Sequence, residues 1–153
     1  MLQSQANTLI TMSRILTLPT ALLIGWLSDH FGLKPTLTLV LFFTGISTLF
    51  IGVASDQLLK IIIFCQPIFA VCFFPPAFAA LSNIGSKETR NVVISFTIPI
   101  AFLLGGGVAP NVIGLLGEKG FFSMGFIIAG GLIMSGAVFP VFLKFAPSCA
   151  EKA

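Results

Sequence analysis

Residues 125–139 read GFIIAGGLIMSGAVF, a continuous run of apolar and small side chains without a charged residue. Apolar and polar positions do not alternate in this run, nor do they alternate in residues 58–65, LLKIIIFC. A strand of a membrane β-barrel requires such alternation over about ten residues. Because helices and closed barrels are the only structures that span a bilayer, these runs predict transmembrane helices.

The composition of the whole chain is that of a protein solvated by lipid. Apolar residues make up 56% of the sequence and charged residues 8%, and the mean hydropathy is +1.07. Soluble domains contain about 25% charged residues, so this chain has too little polar surface to fold in water. The net charge of +3 is not gathered into a basic stripe, which argues against nucleic acid as a partner.

Five apolar runs approach or exceed the length of about 20 residues that a spanning helix needs. They occupy residues 9–27, 36–53, 58–81, 92–116 and 121–143. We therefore predict an all-α integral membrane protein with five transmembrane helices, in a single membrane domain over residues 1–153. Cytoplasmic loops are predicted at residues 28–35 and 82–91, and a cytoplasmic tail at residues 144–153.

The basic residues of the polar connections predict the orientation in the membrane. One side carries five of them and the other side two, namely Lys34, Lys87, Arg90, Lys144 and Lys152 against Lys60 and Lys119. Cytoplasmic loops carry the excess of Lys and Arg, so the first side is predicted to be cytoplasmic. The protein is then expected in the cell (inner) membrane, with its amino terminus outside and its carboxyl terminus in the cytoplasm.

The connection between the first two runs contains the most specific motif, GWLSDHFGLKPTL at residues 25–37. It resembles the cytoplasmic loop signature of the major facilitator superfamily, G-x-L-a-D-r-x-G-r-k-x-x-l. The matching positions are Gly25, Leu27, Asp29, Gly32, Lys34 and Leu37. Ser28, His30 and Leu33 depart from the signature, so two of its basic residues are replaced.

This resemblance implies a partial bundle of the major facilitator type. Members of the family resemble one another in having twelve helices in two six-helix halves, and the loop signature latches the halves in one conformation. A weaker copy of the signature follows the eighth helix, and the motif with its missing basic residues looks like that copy. The chain therefore resembles about helices eight to twelve, and its expected partner is the missing half of the transporter or another chain.

The resemblance also implies a function. We expect part of a secondary active transporter that moves a small solute, such as an organic or inorganic anion, by alternating access with a coupling proton or ion. A truncated, non-transporting membrane remnant or an assembly subunit is the alternative. No G-x-x-x-x-G-K-[ST] loop for ATP occurs, and no cofactor or metal is expected. We predict no enzyme activity because every acid lies in a predicted loop or tail: Asp29, Asp56, Glu88, Glu118 and Glu151.

Strongly polar residues at membrane depth are the candidates for a substrate pathway: Arg14, Gln66 and Asn111. A guanidinium near the bilayer centre costs about 2.5 kcal/mol or more. Arg14 is therefore expected either to line a polar pathway or to snorkel to the outer interface. Gln66 precedes Pro67 and Asn111 follows Pro110, so each amide either lines the pathway or bonds a carbonyl freed at a kink.

Prolines and glycines inside the runs predict kinks and close helix contacts, with candidates at Pro19, Gly105, Gly106, Gly107, Pro110 and Gly114. Residues 105–114, GGGVAPNVIG, partly resemble the family's G-x-x-x-G-P-x-x-G-G signature, from which Ala109 and Ile113 depart. Small residues let helices approach closely. These positions are expected either to pack the helices or to let them rock past each other during transport.

The predicted orientation places Lys60 outside and Lys87 inside the cell. A membrane-impermeant amine reagent, added to sealed right-side-out vesicles, is expected to modify Lys60 and to spare Lys87 until the membrane is opened. Peptide mass spectrometry measures both modifications. Modification of both lysines from the same side of intact vesicles would contradict the topology.

Overall fold

The computed structural model describes residues 3–83 and 87–143, and in these ranges the chain forms helices and no strand. The helices are α1 (Gln3–Phe31), α2 (Leu33–Val53), α3 (Asp56–Cys72), α4 (Phe74–Asn83), α5 (Lys87–Phe102), a π-helix (Leu103–Val108), α6 (Ala109–Glu118), α7 (Phe122–Gly136) and α8 (Phe139–Phe142). The predicted all-α fold class is confirmed.

Five helical stretches are long and apolar enough to cross a bilayer, and this agrees with the predicted number of spans. They are Asn7–Phe31, Leu33–Val53, Asp56–Asn83, Arg90–Glu118 and Phe122–Phe142. The third span joins α3 to α4, and the fourth joins α5, the π-helix and α6. Length and composition thus describe an integral membrane protein.

The helices extend beyond the apolar runs that predict them. Residues 28–35, predicted as a loop, are helical on both sides of Gly32, which alone separates α1 from α2. The connection predicted at residues 82–91 is shortened, since α4 reaches Asn83 and α5 begins at Lys87. Backbone hydrogen bonds can continue a helix through polar residues as well as apolar ones, so hydropathy alone misplaces helix ends. The predicted tail at residues 144–153 lies outside the described residues.

The third span is interrupted at Phe73, between α3 and α4. Pro75 and Pro76 follow at once, and neither has an N–H to continue the hydrogen-bond ladder of α3. The ladder resumes where the Ala77 N–H donates to the Phe73 carbonyl over 3.1 Å. The sequence predicts one continuous helix over residues 58–81, and the two prolines explain the difference.

The buried side chains are mostly small and hydroxylic, while the large apolar side chains face outward. Leu22 is 77% exposed and Phe142 76% exposed, whereas Ser13 is fully buried. The buried polar residues are Ser13, Thr17, Ser28, Thr36, Thr44, Ser47 and Thr48. Most of their hydroxyls donate to a carbonyl three or four residues earlier in the same helix, as Ser47 does to Thr44 over 3.0 Å. This pattern is typical of helices that pack on small residues and expose large ones to lipid.

Helices α2 and α7 approach each other closely enough to require glycine. A Cβ atom at Gly130 would lie 2.6 Å from the Leu49 backbone nitrogen, and one at Gly45 would lie 2.8 Å from the Met134 backbone nitrogen. Because the atoms in contact belong to backbones, a side-chain rotation cannot relieve either clash. The pairing of the second and fifth spans therefore depends on these two glycines.

Helix α2 lies at the centre of the described bundle. It contacts α1, α3, α4, α7 and α8, and α1 additionally contacts α3 and α4. The fourth span is different, because among the described residues it contacts only α4, through α5, and α7, through α6. Most of the surface of this span is consequently free of contact with the other described helices.

Replacement of Gly130 by alanine tests the close contact between α2 and α7. We expect Gly130→Ala to lower the free energy of unfolding by about 1–3 kcal/mol through overpacking, measured by SDS titration in mixed micelles. Gly131→Ala is the matched control, since a Cβ there meets nothing within 4 Å. The control should be neutral or stabilising by up to about 1 kcal/mol, because alanine favours the helix. Equal effects of the two substitutions would contradict the contact.

Candidate functional site

A cavity of about 1030 Å³ lies between α1, α2, α3 and α7. Its polar lining comes from Arg14 and Thr17 of α1, Gln66 of α3 and Ser123 of α7. The structure thus brings together two of the three residues predicted for a substrate pathway, although about a third of the sequence separates them. Its volume is at the upper end of the range for small-molecule sites.

The spacing of residues on α1 explains why Arg14 reaches this cavity. Ile10, Arg14, Thr17 and Leu18 all line it, and residues separated by four, seven and eight positions share one helical face. The Thr17 hydroxyl donates to the Arg14 carbonyl over 2.6 Å. That hydroxyl is therefore satisfied by its own helix.

The charged and amide groups of the cavity keep their hydrogen-bonding capacity. Among the described residues, neither the Arg14 guanidinium nor the Gln66 amide forms a hydrogen bond within the protein. The described lining contains no Asp or Glu, so the positive charge of Arg14 has no counter-ion there. A guanidinium offers five donors in a planar fork that matches a carboxylate or a phosphate.

Two smaller cavities differ from this one in their chemistry. They measure about 310 Å³ and about 380 Å³, and the described residues that line them include no charged side chain. Of the three cavities, only the one at Arg14 combines a charge and an amide with enough space for a small solute. It is therefore the candidate site.

At the other end of α1, Gly32 makes the turn into α2. Its φ of +92° and ψ of 156° lie in a region that is essentially restricted to glycine. The Gly32 N–H donates to the Ser28 carbonyl over 3.0 Å, and the Thr36 hydroxyl donates to the Gly32 carbonyl over 2.9 Å. One residue thus reverses the chain between two long helices.

The other motif residues are placed around this turn. Leu37 is buried at 4% exposure, while Asp29 is exposed at the end of α1. A Cβ atom at Gly25 would lie 3.8 Å from the Pro75 Cβ, an ordinary contact that seats α1 against α4. Leu27 lines the 380 Å³ cavity, and Lys34 is half-buried in the first turn of α2.

The sequence matches the family model of the Major Facilitator Superfamily over residues 2–152. The chain belongs to the major facilitator superfamily. The resemblance of the loop motif is thereby confirmed at the level of the family, and the protein is a transporter of the major facilitator type. No curated protein and no solved structure matches the chain.

Asn111, the third pathway candidate in this major facilitator chain, does not line the cavity at Arg14. Its amide nitrogen donates to the Gly107 carbonyl over 2.9 Å. Pro110 next to it cannot donate an N–H, and the π-helix ends directly before α6. The contact favours the interpretation that Asn111 satisfies the backbone at a kink.

The predicted hinge glycines lie on the uncovered surface of the fourth span. A Cβ atom at Gly105, Gly107 or Gly114 would meet nothing within 4 Å, and one at Gly106 would meet only the Phe102 ring at 4.0 Å. Within the described residues no other helix packs against them. Pro19 lies inside α1, which continues without interruption on both sides of it. A hinge or packing role of these residues stays a prediction.

Two features of this major facilitator chain depend on packing between distant segments and not on a local sequence pattern. Ser123 begins no recognisable motif, and it reaches the cavity only because α7 packs on α2. Gly45 and Gly130 lie at the closest contacts of that packing. Small residues in the apolar runs indicate close helix contacts in general, but nothing in the sequence pairs these two glycines.

Substitution of Gly32 tests the turn of the loop motif. Gly32→Ala is expected to cost about 1–3 kcal/mol of stability, because alanine rarely adopts this backbone conformation. The measurement is the SDS midpoint in mixed micelles. Gly105→Ala, at a helical position with open space around the Cβ, should show no such loss. An unchanged midpoint for Gly32→Ala would contradict the left-handed turn.

Proposed function

We propose that this chain forms part of a secondary active transporter in which the cavity at Arg14 and Gln66 is a section of the solute pathway. The observation that carries the proposal is the placement, in one large cavity of a membrane protein, of a guanidinium and an amide that have no partner among the described residues. Such groups are costly at membrane depth and mark functional sites there.

The charge of the cavity favours an anionic solute. Arg14 brings a permanent positive charge, and the described lining has no acid to neutralise it. A carboxylate or phosphate group would pair with the guanidinium while the Gln66 amide donates to another oxygen. The apolar remainder of the lining, with Phe122 and Phe126, suits the carbon skeleton of an organic anion.

The arrangement of the cavity and the loop motif supports alternating access. The cavity is lined by the last residues of α2 and the first residues of α7, which face outside in the predicted orientation. The turn at Gly32 and the exposed Asp29 lie at the opposite, cytoplasmic ends. We propose that Asp29 latches this end to the other half of the transporter while the outer end is open.

We further propose that the chain belongs to the carboxyl-terminal half, at about helices eight to twelve, and the two missing basic residues of the motif support this proposal. The fourth span supports the presence of another helical element, because its glycine surface is uncovered in the described structure. A flat surface of small residues suits close approach by a helix. That helix would belong to the missing half or to another chain.

Substitution of Arg14 tests the proposed pathway in the assembled carrier, reconstituted in vesicles. Arg14→Ala should reduce uptake of a labelled anionic solute by at least about tenfold, since one charge-assisted hydrogen bond contributes about 1.5–3 kcal/mol. Gln66→Ala should have a smaller effect than Arg14→Ala, seen as a rise in KM.

Lys60→Ala is the matched control, because it removes the same charge from an exposed position of α3 that does not line the cavity. Its uptake should equal that of the unmodified carrier. If Arg14→Ala inserts normally and its uptake is normal, Arg14 does not line the pathway and its side chain snorkels to the outer interface.

A further inference from the structure

The 310 Å³ cavity is an apolar space at the ends of four helices, away from Arg14. It lies between α2, α4, α5 and the α7–α8 end, with Leu37, Ala80, Ala101 and Phe139 in its lining. Thr97 supplies the one hydroxyl side chain of the described lining. The helix ends that surround it are those predicted to be cytoplasmic, so the cavity lies at the level of the inner lipid leaflet.

Arg90 lies on the same face of α5 as this cavity. Thr97 and Ala101 line the cavity, and they follow Arg90 by close to two and three helical turns. Arg90 is therefore about 10 Å from Thr97 along the helix axis, towards the aqueous end. The side chain is half-buried, and its Nε atom is buried with no hydrogen-bond partner among the described residues. A buried charged donor without an acceptor is unfavourable, so this Nε–H, unpaired among the described residues, favours an anionic partner.

We propose that Arg90 and this cavity bind one anionic phospholipid of the cytoplasmic leaflet. The phosphate oxygens would accept hydrogen bonds from the guanidinium, and one acyl chain would enter the apolar cavity. The two observations require an amphiphile with an anionic group at the interface and a hydrocarbon tail at membrane depth. A phospholipid has this chemistry, is present around the protein at high concentration, and binds basic pockets between helices on this side of the membrane.

Quenching of tryptophan fluorescence by brominated acyl chains tests the site in the full chain. Trp26 is the single tryptophan, so Trp26→Phe gives a silent background. A reporter is introduced as Phe78→Trp, at the cavity rim, where Phe78 is 45% exposed. Phe96→Trp is the control reporter on α5, because Phe96 is 67% exposed and does not line the cavity.

The vesicles contain phosphatidylcholine with a minor fraction of brominated phosphatidylglycerol. At position 78 the brominated lipid should be enriched about fivefold over its bulk fraction. This factor corresponds to the attraction of about 1 kcal/mol between one basic residue and an anionic lipid. At position 96 quenching should follow the bulk fraction. Arg90→Gln should abolish the enrichment, and Arg90→Lys should retain most of it. Excess inorganic phosphate should not relieve the quenching, because it has no acyl chain.

Quenching at position 78 that follows the bulk fraction in the presence of Arg90 would overturn the proposal. Enrichment that survives Arg90→Gln would also overturn it. A reporter at position 78 that is shielded from all brominated lipid would show that a protein segment covers the cavity instead. Brominated phosphatidylcholine in the same vesicles provides the reference, and it should show no enrichment at either position.

Discussion

Lipid hydrocarbon offers no hydrogen bonds, and this constraint determines how the chain folds. Every backbone N–H and C=O within a span has to find its partner inside the protein, which leaves the helix as the element for all five spans. The same constraint acts on side chains, since the hydroxyls of Ser13 and Thr48 donate to carbonyls of their own helices. Burial of large apolar side chains then gains no hydrophobic free energy, because the surrounding lipid is as apolar as they are. Small residues form the interior, and α2 and α7 meet through Gly45 and Gly130.

Against this background, groups that remain unpaired at depth carry functional information. Within residues 3–83 and 87–143, Arg14 and Gln66 are such groups, and they face one cavity. Arg90 differs in depth, because it lies near the aqueous end of α5 beside an apolar space, and its Nε atom is buried without a partner among the described residues. Asn111, by contrast, is polar and at depth but already bonded to the Gly107 carbonyl. Polar residues without a hydrogen-bond partner are therefore the pathway candidates. Polar residues that bond a backbone carbonyl, as Asn111 does, stabilise the helix instead.

The sequence predicted most of the fold, because hydropathy measures the same transfer to lipid that the helices undergo. The five spans and the family followed from runs and a motif within a few tens of residues. Features that depend on contacts between distant segments did not follow. No local pattern distinguishes Gly130, which meets the Leu49 backbone, from Gly131, which meets nothing. Arg14 and Gln66 could be named separately as polar residues at depth, but their shared cavity depends on the packing of α1, α2, α3 and α7. Prolines inside the runs indicate kinks, but hydropathy does not show that the third span is interrupted at Phe73.

Nitroxide accessibility in reconstituted vesicles measures whether lipid surrounds the exposed apolar side chains. A spin label is placed at Leu132, which is 68% exposed on α7, in a variant without other cysteines. Collisions with dissolved oxygen, which concentrates in hydrocarbon, should greatly exceed collisions with a water-soluble nickel chelate. A label at Leu132 that collides mainly with the nickel chelate would show that water, and not lipid, is the solvent of this surface, and would contradict the account.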